Sequence, residues 1–170
     1  YTGEIPQRPG RLVFVGRVVA GKGWSIFLNA VAALRSRGMD VEGELLGDGA
    51  DLAKARRRVT GLGLDGVVAV RGRVSQDEVR RVLRGATLVN PTILSEGFQT
   101  TLLEAIAESG RVVTFDVPGA RLLRDSGAPV RVCPDRTEES LIETLAGALY
   151  EPDPLASPEL ITKWTWPVRI

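Results

Sequence analysis

The sequence predicts a Rossmann-like α/β fold, a parallel sheet with helices on both faces. Three observations predict it. Short runs rich in Val and Leu recur along the chain and are stopped by Gly or Asn. Segments with helical spacing of apolar residues alternate with them, the pattern of βα units. The 170 residues suit one domain large enough to bury a core.

The elements follow in order. Residues 1–10 carry prolines and glycines without periodicity and read as a linker, ahead of a nucleotide-binding unit over 11–152. Arg11 to Gly16 is an apolar run closed by glycine, as in a strand buried on both faces. Leu28, Val31, Ala32 and Leu34 fall at helical spacing, with Gly38 placed as a C-terminal cap. Val41–Gly47, Val67–Arg71, Ala86–Asn90, Arg111–Phe115 and Pro129–Cys133 read as further strands. Asp51–Thr60, Gln76–Leu83, Thr100–Glu108 and Glu138–Leu149 read as helices. After Tyr150 the character changes. Residues 153–170 form a Pro-containing tail holding Trp164 and Trp166, and a solvated tail seldom keeps such residues, so this one is expected to dock on something.

Composition removes several chemistries. Lys plus Arg number 22 and Asp plus Glu 21, so the net charge of +1 argues against a nucleic-acid partner. With no histidine, the chain holds no Ser-His-Asp or Cys-His centre and no His-bearing zinc site. Cys133 is the single cysteine, so an internal disulfide and a thiolate metal cluster are excluded, and it reads as a small core residue. The longest uncharged stretch, Gly23–Leu34, is 12 residues and too short to span a bilayer. The chain opens at Tyr1 without a signal-peptide pattern, which suggests a piece of a longer protein. The expected location is the cytoplasm, with membrane association left open for the full-length protein.

In a parallel α/β sheet, ligands bind beyond the carboxyl ends of the strands. The loop after the first strand there is Gly16-Arg-Val-Val-Ala-Gly-Lys-Gly23. It matches the phosphate-loop pattern up to the lysine but has Gly23 where that pattern needs a magnesium-binding hydroxyl. Arg17 and Lys22 suit a diphosphate clamped by a guanidinium fork and a point charge, with the amides of the helix starting near Trp24 adding to the site. The bland alternative is a tight turn with two solvated cations. Gly47-Asp-Gly49 lacks the third glycine of a dinucleotide fingerprint and reads as a plain turn. The arginine runs at 56–58 and at 80, 81 and 84 read as solvated helix faces rather than an anionic-lipid site.

Glu96 and Glu104 are separated by seven residues at the start of a helix. Fully helical spacing would put them at most ~12 Å apart, beyond the ~5–9.5 Å of a glycosidase acid/base pair. The pair suits one ligand gripped at both ends, with its anionic middle at the helix N-terminus. An amphipathic helix with exposed acids remains the alternative.

The glycine loop and the glutamate pair together resemble the C-terminal, donor-binding domain of retaining GT-B glycosyltransferases, the group 1 family. The resemblance runs from Gly16-Arg17 and Lys22-Gly23 through Glu96-x7-Glu104 to Gly119. It implies one half of a GT-B fold that binds a nucleoside diphosphate sugar, UDP- or GDP-linked. It further implies that Arg17 and Lys22 hold the pyrophosphate beside Gly16, and that Glu96 faces the transferred sugar. Glu104 would take the ribose, with Thr100 and Thr101 at the phosphates. Gly97, Phe98 and Gln99 would lie near sugar hydroxyls, and Val74 at the base. No metal or other cofactor is implied, and the acceptor half would be a missing N-terminal domain on which the tail docks. The sequence departs from the family at Gln99 (usually Gly or Pro), Arg111 (often Pro), Pro118-Gly119 (often Gly-Gly) and Leu122 (often Glu). Two rivals stay open: a non-catalytic nucleotide-binding or partner-docking module, and a magnesium-dependent phosphate-loop transferase.

Overall fold

The computed structural model describes residues 5–94 and 99–169. Six parallel strands form one sheet in the order β3-β2-β1-β4-β5-β6. The strands are β1 (Arg11–Val15), β2 (Glu42–Leu46), β3 (Val68–Gly72), β4 (Thr87–Asn90), β5 (Arg111–Thr114) and β6 (Val130–Val132). Between them run α1 (Trp24–Ser36), α2 (Leu52–Gly61), α3 (Gln76–Leu83), α4 (Thr100–Ala107) and α5 (Ala120–Asp125), followed by α6 (Glu138–Tyr150) and α7 (Pro158–Arg169). This is the Rossmann-like sheet that the βα alternation predicts. The sequence reading did not contain α5 or α7.

Two separate cores lie on the two faces, and the strand residues alternate between them. Leu12, Phe14, Leu45, Val89 and Val113 join the core formed with α1, α2 and α6. Their neighbours Val13, Leu46, Leu88 and Val112 join the core formed with α3, α4 and α5. The period-2 pleat of a strand explains the alternation, and burial on both sides explains the near-continuous apolar runs. Each fully buried Leu contributes about 1.5–3 kcal/mol relative to exposure. Cys133 sits in the first core, where burial pushes its thiol pKa up and makes a thiolate unfavourable.

Local signals set the helix ends. α1 stops because Gly38 takes φ +80°, letting its N–H reach Arg35 O and that of Met39 reach Leu34 O. Ser75 caps α3 through the Glu78 N–H, and Thr137 caps α6 through that of Ser140. The arginines of α3 are neutralised nearby: Arg80 pairs with Asp77, Arg81 with Glu78 and Arg84 with Glu108. They form ion pairs on the helix surface. On the sheet, Glu44 is nearly buried and paired with Arg11 at 2.5 Å and Arg71 at 2.9 Å.

The segment after α6 is held by arginines. Arg131 binds the Asp153 carboxylate and Glu151 O, while Arg111 donates to Asp153 O and to Gln7 Oε1. Ala156, Leu160 and Ile161 then pack against the second core. The side chains of Trp164 and Trp166, singled out above, lie outside the described residues.

Candidate functional site

The order of the sheet locates the site. Chain progression runs one way from β1 to β2 and β3 and the other way from β4 to β5 and β6, so the loops after β1 and β4 diverge and leave a crevice. The β1–α1 loop carries Gly16, Arg17 and Lys22; Arg17 is exposed and Lys22 is partly buried. The two loops touch each other through backbone. Ile93 donates its N–H to Gly21 O at 2.9 Å, and Thr92 Oγ1 donates to the same oxygen at 3.3 Å. A cleft of about 240 Å³, lined by Gly21, Gly23, Trp24, Asp51, Pro91 and Ile93, opens beside the contact.

Gly23 is required by geometry. It holds φ +89° as the N-cap of α1, and a Cβ there would lie 2.2 Å from Pro91 O. A serine or threonine hydroxyl therefore has no room at the position where a magnesium-dependent phosphate loop needs one. That packing opposes the phosphate-loop rival.

Gly47-Asp-Gly49 is more than a plain turn, and the sequence reading is corrected here. A Cβ on Gly47 would lie 1.8 Å from Gly16 O, and one on Gly49 2.5 Å from Val18 O. Val18 exchanges hydrogen bonds with this segment, donating to Asp48 O and accepting from Asp51 N, both at 2.9 Å. The turn is a buttress pressed against the glycine loop. Asp51 also accepts the Trp24 indole N–H at 3.2 Å, tying the start of α2 to the start of α1.

The two helices that begin at the crevice are left open, as α2 and α5 also are. Neither α1 nor α4 has a side-chain cap or an acid in its first turn, whereas α3 and α6 have both. The positive dipole ends of α1 and α4 and their first N–H groups therefore have no cap or acid from their own first turns. Thr100 and Thr101 open α4, the first exposed and the second partly buried. Gln99 occupies the N-cap in extended backbone, and its Nε2 is buried without a hydrogen-bond partner among the described residues. Gln99→Ser should cap α4 and remove that orphaned amide, raising the stability of the ligand-free chain by about 1 kcal/mol. Urea denaturation measures it; an unchanged or lower midpoint would show that Gln99 makes a compensating contact.

Glu104 lies one turn into α4, with its carboxylate facing α3. Gln76 Nε2 donates to Glu104 Oε2 at 2.5 Å. Partial burial pushes the Glu104 pKa up, opposed by the Gln76 hydrogen bond and the charge of Arg80, while Glu108 adds to the rise. Val74, between β3 and α3, packs partly buried against the second core. Arg71, near the end of β3, is engaged internally by Glu44 and Glu78. Thus the structure brings Gln76 to Glu104, with Val74 two residues before Gln76, and the Gly16–Gly23 loop against the start of the β4–α4 loop. Glu96, Gly97 and Phe98 lie outside the described residues. Sequence reasoning missed Gln76 because a lone glutamine at a helix start carries no pattern.

Comparison with known proteins gives the family and the fold. The profile of the family described as glycosyl transferases group 1 matches residues 9–150. The chain is 28% identical over 129 residues to the alpha-D-kanosaminyltransferase of Streptomyces kanamyceticus, covering 75% of this chain and 33% of the relative. It spans about a third of the length of the curated relatives it matches. Among solved structures, Anabaena HepE in complex with UDP superposes with a TM-score of 0.71 at 18% identity, over 84% of this chain and 40% of that one. The C-terminal domain of a group 1 glycosyl transferase from Francisella tularensis (LpcC) superposes with a TM-score of 0.71 at 19% identity, covering 94% of this chain and 81% of that one. At such identities these two likenesses establish the fold. Membership follows from the profile, which spans the whole sheet and every loop of the crevice: this chain belongs to the group 1 glycosyl transferase family.

Proposed function

We propose that the chain is the donor-binding half of a retaining GT-B glycosyltransferase and binds a UDP- or GDP-sugar in the crevice between β1 and β4. The observation that carries this reading is the contact, at the switch point of the sheet, between the loop that bears Arg17 and Lys22 and the loop that leads into α4, where two helices without side-chain N-caps begin. Transfer breaks the bond between the anomeric carbon and the diphosphate, and the electron pair leaves on the diphosphate oxygen. Arg17, Lys22 and the helix amides offset that charge in place, so no metal is required. In this reading Gly16 and the amides of Thr100 and Thr101 complete the diphosphate site. Glu104 binds the ribose, Val74 lies at the base, and Glu96, Gly97, Phe98 and Gln99 face the sugar. The UDP complex of the structural relative supports the nucleotide class. A separate N-terminal domain supplies the acceptor and receives the end of the tail, past the stretch to Ile161 that packs on this domain, and the whole works in the cytoplasm.

One observation favours a second reading. Leu122, at a position often Glu in the family, is an exposed apolar side chain, 57% accessible, on α5. A nucleotide-binding module without turnover would tolerate it. Sugar transfer by the full-length protein would exclude that module.

Calorimetry on this chain tests the donor site. UDP or GDP should bind, with an affinity unchanged by EDTA. A gain of tenfold or more on adding magnesium, about 1.4 kcal/mol, would return the case to a metal-dependent phosphate loop. No binding of either nucleotide at millimolar concentration would overturn the donor site.

A further inference from the structure

We infer that Gln76 is a positioning residue for Glu104, fixing the direction in which that carboxylate meets the nucleotide and linking it to the loop that carries Val74. The inference rests on the donor-site reading, in which Glu104 takes the ribose, and assigns Gln76 the orientation of that group.

The geometry is specific. Gln76 is the first residue of α3 and Glu104 stands on α4, 28 positions later, yet the amide Nε2 and carboxylate Oε2 are 2.5 Å apart. Gln76 is held in turn, because Ser75 caps α3 immediately before it. A glutamate free to turn about its side-chain bonds would lose rotamer entropy on meeting a ribose. Here one oxygen is already bound to an amide, which leaves the other for the ligand. A neutral amide suits the task. It stabilises the charged carboxylate without ion-pairing it, whereas an arginine or lysine would form a salt bridge and compete with sugar hydroxyls. Arg80 on α3 and Glu108 on α4 are the charges that act on Glu104, and they act in opposite directions. Because Val74 and Gln76 flank Ser75, the same short turn reaches the base edge and the ribose carboxylate.

Two variants on this chain test the role; the solved C-terminal domain of a family member indicates that such a unit folds alone. Gln76→Leu removes the donor and keeps the bulk. The carboxyl ¹³C titration of Glu104 should then shift to higher pH, since the amide no longer favours the charged form. Affinity for UDP or GDP should fall about three- to tenfold, with much less change for the 2′,3′-dideoxy nucleotide. Gln76→Glu supplies a signature that packing alone cannot produce. Its carboxyl group donates a hydrogen bond to Glu104 only while protonated, so the ratio of its nucleotide affinity to the native chain's at the same pH should be near one at low pH and fall as pH rises. An unmoved Glu104 titration in Gln76→Leu would overturn the contact. Equal losses for ribo- and dideoxynucleotide, or a Gln76→Glu pH profile parallel to the native one, would overturn the positioning role. If Glu104→Gln leaves nucleotide affinity unchanged, the ribose assignment itself fails and the positioning role falls with it.

Discussion

Gly47→Ala should destabilise the chain by about 2–5 kcal/mol and abolish nucleotide binding. The backbone there has φ +143°, which side chains of L-residues rarely adopt, and the added methyl would start 1.8 Å from Gly16 O. Positive-φ strain alone costs about 1–2 kcal/mol. Forcing two backbone segments apart adds about 1–3 kcal/mol, as overpacking does in a core. Gly38→Ala is the control. That residue also has positive φ, +80°, but nothing lies within 4 Å of its Cβ position, so only the strain should appear. Urea denaturation of both variants separates the two contributions. The displaced segment is the carboxyl end of the glycine loop's strand, so Arg17 should lose its place along with the stability. Equal losses at 47 and 38 would mean that the loop and its buttress move apart freely, and that the crevice is softer than its packing indicates.

The second large effect concerns the ligand. Removing a carboxylate that accepts hydrogen bonds from sugar hydroxyls costs roughly 1.5–3 kcal/mol, because the bonds are charge-assisted. Glu104→Gln should therefore weaken free UDP or GDP by about tenfold or more. Glu96→Gln should leave free diphosphate affinity nearly unchanged, because in the proposed layout Glu96 reaches only the transferred sugar. In the complete enzyme it should instead lower turnover, its contacts strengthening as the sugar gains positive character. Arg17→Ala and Lys22→Ala should weaken the nucleoside diphosphate far more than the free nucleoside. Losses would then be graded along the ligand, with ribose, bridge and sugar each lost separately. Identical effects of the two glutamate variants on free diphosphate would remove the extended-ligand arrangement.

The strands were legible because burial on both faces leaves apolar runs with glycine stops, and Leu12 through Phe14 carry that signal in three consecutive residues. The helix stripe of Leu102, Leu103 and Ile106 was legible for the same reason, and all three are buried. α5 was not. It spans six residues with only Ala120 and Leu123 buried, too short for a period to register. α7 was masked by the prolines of the tail, although Pro158 stands at its first position, where a missing N–H costs nothing. The buttress at Gly47-Asp-Gly49 depends on two backbones meeting across β1 and β2, a contact that neither segment's own sequence reveals. The Gln76–Glu104 contact is hidden likewise, since it exists only once α3 and α4 pack side by side.

The open ends of α1 and α4 also bear on how long the protein lasts. A missing side-chain cap forgoes up to about 1 kcal/mol per helix, and only a few tenths at α1, where glycine is itself a favoured N-cap. An anion seated there would restore it. By mass action, a ligand at a hundred times its dissociation constant adds about 2.7 kcal/mol to the folded state. If the proposed donor site holds, opening of the fold and exposure to proteases would fall as the crevice fills, and a fall in donor supply would shorten the lifetime of the domain.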